Sequence, residues 1–206
     1  VRMRKFVKQH SKKAGLPPGS LVFLGEQFVN TPVVSVINYS KTDVHRTVVS
    51  GPEECLQYIN EQTVTWINVT GLHDTELLRR FGEVFQIHPL VLEDILNTAQ
   101  RPKSEDHGDA VFCVLKMLYS DDQDGEMVAE QVSLILGAGY VLTFQEREDD
   151  VFDVIRNRIQ AGKGRIRNMG SDYLAYALID AIVDNCFLVL ENGGEKVEQL
   201  QEAVIS

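Results

Sequence analysis

The chain has 206 residues, 44% of them hydrophobic, which is enough for one sizeable core and excludes wholesale disorder. Its formal net charge of −10 excludes nucleic acid as a natural partner, because neutralising phosphates needs a basic surface, and it favours cations instead. Cys55, Cys113 and Cys186 lie far apart without a CxxC pair, so neither a disulfide framework nor a thiolate zinc site is indicated, and a reducing cytoplasm suits them.

Residues 1–14 carry Arg2, Arg4, Lys5, Lys8, Lys12 and Lys13 and read as a solvated basic arm. Short β-rich runs follow at 21–24, 33–37, 47–49 and 64–69, separated by Gly, Pro, Asn and Ser, and predict strands. Between them, 53–60 and 74–85 have helical spacing. In the second of these, Leu77, Leu78, Phe81 and Phe85 share one side and Asp74 stands as an N-cap.

The segment 88–101, HPLVLEDILNTAQR, is the most informative in the chain. Pro89 suits a first helical position, where it has no N–H to lose, and Pro102 follows where the helix has ended, giving about three turns. At about 100° per residue, Asp94 projects inside the apolar arc between Leu90 and Val91, and Glu93 falls on its border beside Asn97. A carboxylate in that place needs a partner. Spacing leaves two open: a neighbouring base, or a cation at an interface.

Further on, 110–119, 128–136 and 140–145 predict three consecutive strands in an antiparallel meander. In the turn SDDQDGEM, Asp122, Asp124 and Gly125 fall on EF-hand-like spacing, but a calcium loop starting at Ser120 needs a glutamate where Gln131 stands. Asp124-Gly125 therefore predicts a hairpin turn. An amphipathic helix is predicted over 151–160, and Ser171 opens another with room to run to the end of the chain. In it Asp180 and Asp184 share a face, an arrangement that costs a few tenths of a kcal/mol unless a cation or base intervenes, or that is simply a solvent stripe. Gly193-Gly194 is expected to kink or end this helix. The first residues lack a signal-like apolar core, and the apolar stretch 173–190 is interrupted by Asp180, Asp184 and Asn185, so the polypeptide as given is expected to be soluble. A start at Val1 and a stop at Ser206 inside a helical pattern predict a piece of a longer protein.

The blocks GLPPGSLVF, TWINVTG, HPLVLEDIL, QRPK, FCVLKML, EQVSLIL, YVLTFQE, DVFDVIRNRI and DYLAYALIDAIVD, in this order and spacing, resemble the cytoplasmic domain of CorA-type magnesium transporters. The likeness runs from about Gly15 to Glu191. Pattern alone supports only mixed α and β with an antiparallel portion. The resemblance implies more: an α/β fold, an α/β/α sandwich on a mixed parallel and antiparallel sheet of six or seven strands. It makes 15–168 a divalent-cation-sensing domain and 169–206 the start of a long stalk helix. Family members continue into two transmembrane helices with a Gly-Met-Asn signature, which this sequence lacks. The implied setting is thus a homopentamer in the inner membrane, this domain lying in the cytoplasm and reaching the membrane only through those missing helices.

In the family, acids of neighbouring protomers are bridged by Mg2+, which stabilises the closed state, and Mg2+ is also the transported ion, with Co2+ or other divalent cations possible. Carried over by motif, Asp94 contributes to the main bridging site, and Glu93, Asp180 and Asp184 to a nearby second one. The family's main site also takes an Asp from the stalk of the adjacent protomer, beyond the end of this sequence. Magnesium binds few carboxylates and keeps several waters, so an open site of this kind binds weakly, in the millimolar range, as a sensor requires. Three alternatives stay open: a zinc-moving branch of the superfamily, a soluble metal-dependent hydrolase, and a plain interaction domain. The hydrolase has little support, since GLPPGS lacks the lysine of a P-loop and His10, His45, His73, His88 and His107 show no HxxxH spacing; no enzyme is expected.

Overall fold

The computed structural model describes residues 15–120 and 127–205. The basic arm and the Asp124-Gly125 turn lie outside the described residues. Seven strands form one sheet: β1 (Val33–Tyr39), β2 (Val44–Val49), β3 (Val64–Thr70), β4 (Lys103–Asp106), β5 (Val111–Ser120), β6 (Met127–Gly137) and β7 (Tyr140–Gln145). Their order is β2-β1-β3-β7-β6-β5-β4. Among the described residues only β3 and β7 pair in parallel, and the other neighbours are antiparallel. The expected mixed sheet and the meander of β5, β6 and β7 are therefore present, and the register pairs Ser120 with Met127 across the turn.

Central β3 is buried along its whole length, which its β-branched and aromatic residues suit, because helices cover both faces. Five helices do so: α1 (Pro52–Cys55), α2 (Thr75–Val84), α3 (Pro89–Leu96), α4 (Asp153–Ala161) and α5 (Ser171–Ile205). On one face Val34, Ile67, Val69, Phe112, Leu142 and Phe144 pack with residues of α1, α2 and α3. On the other, Tyr39, Trp66, Met117, Leu134 and Val141 pack with α4 and the first turns of α5. Alternate residues of each strand thus feed two cores, and the result is an α/β/α sandwich. In the middle of the sheet, Trp66 Nε1 donates to Thr143 Oγ1 at 2.8 Å, and Thr143 Oγ1 donates to Asn68 Oδ1 at 2.6 Å.

Local chemistry sets the boundaries. The Asp74 carboxylate accepts from the N–H groups of Glu76 and Leu77, both at 3.0 Å, as an N-cap should. Gly162, with φ 63°, ends α4 in the left-handed conformation that glycine adopts without strain. The predicted helix over 53–60 is shorter, α1 giving way to a 3-10 turn at Leu56–Tyr58.

Three expectations are corrected. Residues 21–24 form no strand: Leu24 is buried, and its N–H donates to Leu96 O at the end of α3 at 3.0 Å, so the segment is held by a helix end and not by a sheet edge. Strand β4 was not expected, because Lys-Ser-Glu-Asp has no apolar alternation; as an outer strand it exposes Ser104 and Asp106 and leaves Lys103 and Glu105 half-buried. Gly193-Gly194 does not end α5, which runs unbroken from Ser171 to Ile205, with open space where each Cβ would stand. The helix Ser171–Val204 is also, by length and composition, apolar enough to cross a membrane. Its early residues Leu174, Leu178 and Ile182 are buried against the sheet, as in the core helix of a domain.

Candidate metal site

Helix α3 is built to hold two acids in fixed positions. His88 caps it, its Nδ1 accepting from Leu90 N at 3.2 Å, and Pro89 occupies the first turn. Val91, Leu92, Ile95 and Leu96 face the core. That leaves Glu93 and Asp94 on the half-buried flank.

The Asp94 side chain is 19% exposed, and both of its oxygens are engaged. Lys103 Nζ on β4 lies 2.6 Å from Oδ2, while the Gln100 amide donates to Oδ1. The same ammonium lies 2.8 Å from Glu105 Oε1, and Glu105 Oε2 is 3.5 Å from His107 Nε2. Burial works against the Lys103 charge, but hydrogen bonds to Asp94 and Glu105 outweigh it and hold the ammonium's pKa above its ordinary value. The hydrogen bond from Lys103 likewise holds Glu105 below the ordinary carboxylate value. Of the two partners open to Asp94, the chain itself supplies a base. Glu93 accepts from Gly19 N at 2.6 Å and so fastens the incoming loop to α3. Gly19 has φ 82° there, and a Cβ would stand 3.1 Å from Pro89 Cβ.

Asp180 is half-buried and Asp184 exposed, one turn apart on α5. Among the described residues neither has a hydrogen bond or ion pair. Beside them Asn185 Nδ2 donates to Leu118 O, and Cys186 Sγ lies 3.9 Å from Lys116 O, fixing α5 on β5. Because α3 and α5 cover opposite faces, the sheet separates Glu93 and Asp94 from Asp180 and Asp184. Accordingly, no group of three or more His, Cys, Asp or Glu among the described residues can hold a metal. Each pair is at most a partial site, offering the one or two carboxylates that a hydrated magnesium ion takes.

Buried polar groups on β6 and its neighbouring strands escaped the sequence reading. Glu130, 2% exposed, accepts from Glu146 N at 2.7 Å and Arg147 N at 2.9 Å, and Tyr119 OH donates to it at 3.1 Å. Burial pushes its pKa up to about 7. Burial also raises Glu146 and lowers Lys116, whose Nζ donates to Thr98 O at 2.7 Å. Gln131, on the opposite strand face from Glu130, donates from Nε2 to Asp94 O at 3.1 Å and so meets α3. The period-two pattern carried the signal: Glu130 shares a strand face with Val132 and Leu134, both buried.

With this geometry in hand, comparison with known proteins is informative. The family model described as "CorA-like Mg2+ transporter protein" matches residues 61–206. The cobalt/magnesium transport protein CorA of Thermotoga maritima is 46% identical over 198 residues, which cover 96% of this chain but 56% of that protein. In fold, the full-length CmaX protein aligns with a TM-score of 0.68 at 14% identity, over 87% of this chain and 53% of that one. The complete CorA magnesium transporter from Methanocaldococcus jannaschii aligns with a TM-score of 0.62 at 14% identity, over 87% and 52%.

Proposed function

This chain belongs to the family of CorA-like Mg2+ transporters, and from that premise we propose that it is the cytoplasmic, magnesium-sensing domain of a transporter of magnesium and cobalt. In this reading the intact protein is a homopentamer of the inner membrane, which is crossed by segments outside these 206 residues. Mg2+ bridges acids of neighbouring protomers and holds the channel closed. Asp94 contributes to the main bridge; Glu93, Asp180 and Asp184 contribute to a second. When cytoplasmic magnesium falls, repulsion between uncompensated acids loosens the interface and favours conduction.

The observation that carries this proposal is the division of the acids. Two pairs lie on opposite faces of the sheet, neither amounting to a metal site alone, so a second protomer is the natural source of the missing ligands. Helix α5 supports assembly, since Tyr176, Phe187, Leu188, Leu190 and Leu200 along it are each more than half exposed. Magnesium and cobalt are favoured over zinc because the relative at 46% identity is named for those two metals.

The test is thermal unfolding of the intact protein against magnesium at constant ionic strength. For a dissociation constant of about 1 mM, about 10 mM magnesium stabilises by about 1.4 kcal/mol. Asp94→Asn is expected to abolish most of that gain, and Asp180→Asn with Asp184→Asn a smaller part. Full magnesium stabilisation in every variant would reject these acids as the sensor.

A further inference from the structure

Lys103 sits where a metal ion at Asp94 has to go. Its Nζ lies 2.6 Å from Asp94 Oδ2 and 2.8 Å from Glu105 Oε1, so one ammonium is shared by two carboxylates. Gln100 holds the other Asp94 oxygen. A magnesium ion binding Asp94 directly requires an oxygen at about 2.0–2.1 Å, and one binding through its waters competes with Lys103 and Gln100 for the same carboxylate. A dication and an ammonium on one oxygen also repel each other. Metal binding therefore favours the departure of Lys103 from Asp94.

Resting on the reading of Asp94 as a metal ligand, we propose that Lys103 is a tethered counter-ion, which neutralises Asp94 while magnesium is scarce and which an incoming divalent cation displaces onto Glu105. The means of displacement are present. Lys103 and Glu105 stand two residues apart on β4 and thus on one face of the strand. Glu105 already accepts from the ammonium and is the more exposed of its two partners, at 41% against 19% for Asp94. A lysine stem is flexible, so the transfer needs only side-chain rotation while the β4–β5 pairing stays in place. The exchange gives the sensor a threshold. An ion must arrive at a concentration sufficient to outcompete an internal cation, which raises the working range above what Asp94 alone would set. It also couples occupancy to structure, because the Lys103–Asp94 contact ties α3 to the outer strand and metal binding releases that tie.

Limited proteolysis of the intact protein, titrated with magnesium at fixed ionic strength, provides the test. Lys103→Gln is expected to lower the protection midpoint by about tenfold, the effect of removing a unit charge about 4–5 Å from a dication in a largely aqueous setting. Glu105→Gln is expected to raise it several-fold, because the displaced ammonium then loses its second carboxylate partner and holds Asp94 more firmly. Opposite signs from two neighbouring variants are not what loss of local structure would produce. If both leave the midpoint unchanged, or both move it the same way, while Asp94→Asn still raises it, the counter-ion proposal is overturned and Asp94 remains a ligand. If Asp94→Asn is silent as well, the metal site itself is refuted and the proposal falls with it.

Discussion

At the scale of single residues, Glu130 makes the sharpest claim about pH. Its carboxyl is raised to about 7 in the folded chain, burial being the main cause, so the fold favours the protonated form. The stabilisation is complete below the ordinary glutamate value of 4.5 and is lost as pH rises through about 7, an effect of order 3 kcal/mol, and Glu146 shifts in the same direction. The chain is therefore expected to melt at a lower temperature at pH 8 than at pH 5. Glu130→Gln, which keeps an oxygen for the two backbone donors, should flatten that dependence; an unchanged slope would refute the assignment. Asp94 illustrates how far sequence carries at this scale. Its position inside the apolar arc follows from helical periodicity, whereas its partner does not: Lys103 lies nine residues on, in a strand whose four polar residues carry no strand pattern. Glu130 was concealed for a related reason, as an acid is read as solvent-facing unless its strand phase is checked against buried neighbours.

At the scale of elements, α4 and α5 invite separate tests. The loop before α4 places Asp150 with its side chain 1% exposed, and Arg156 grips it through Nη1 at 2.7 Å and Nη2 at 2.5 Å. Asp150 Oδ1 also accepts from Phe152 N at 2.8 Å, so the pair secures the start of the helix. Arg156→Met leaves that carboxylate buried without its charge partner and is expected to cost about 3–5 kcal/mol in denaturant unfolding. For α5, Gly193→Ala with Gly194→Ala meets open space at both positions, and each glycine costs about 0.5–1 kcal/mol relative to alanine in a helix. The double variant is expected to raise helical circular dichroism and slow amide exchange over 191–205 without changing the melting of the sandwich. Glycine's propensity argued for a break; the helix continues because two such residues weaken it without removing a hydrogen bond. Elements with strong periodicity, such as α2, α3 and β5 to β7, were legible. Segment 21–24 was not, since an apolar run packed on a helix end looks like a strand in sequence.

At the scale of the whole molecule, the sheet has two roles. It supplies both cores, and it keeps the acid pair on α3 apart from the acid pair on α5, so that under the proposed function sensing by these residues is a property of an assembly. Resemblance foretold the sandwich, but the separation of the acids depends on which face each helix covers, and periodicity within a helix says nothing about that. The exposed apolar residues of α5 carry the assembly claim: Phe187→Glu, at a position 62% exposed, is expected to reduce the intact protein to smaller species in analytical ultracentrifugation while leaving the α/β melting transition in place. The most direct measurement is magnesium influx into proteoliposomes holding the intact protein, recorded against magnesium on the cytoplasmic side. Closure with a millimolar midpoint, shifted several-fold upward or lost in Asp94→Asn, is the expected result; a midpoint identical in the variant would contradict the account.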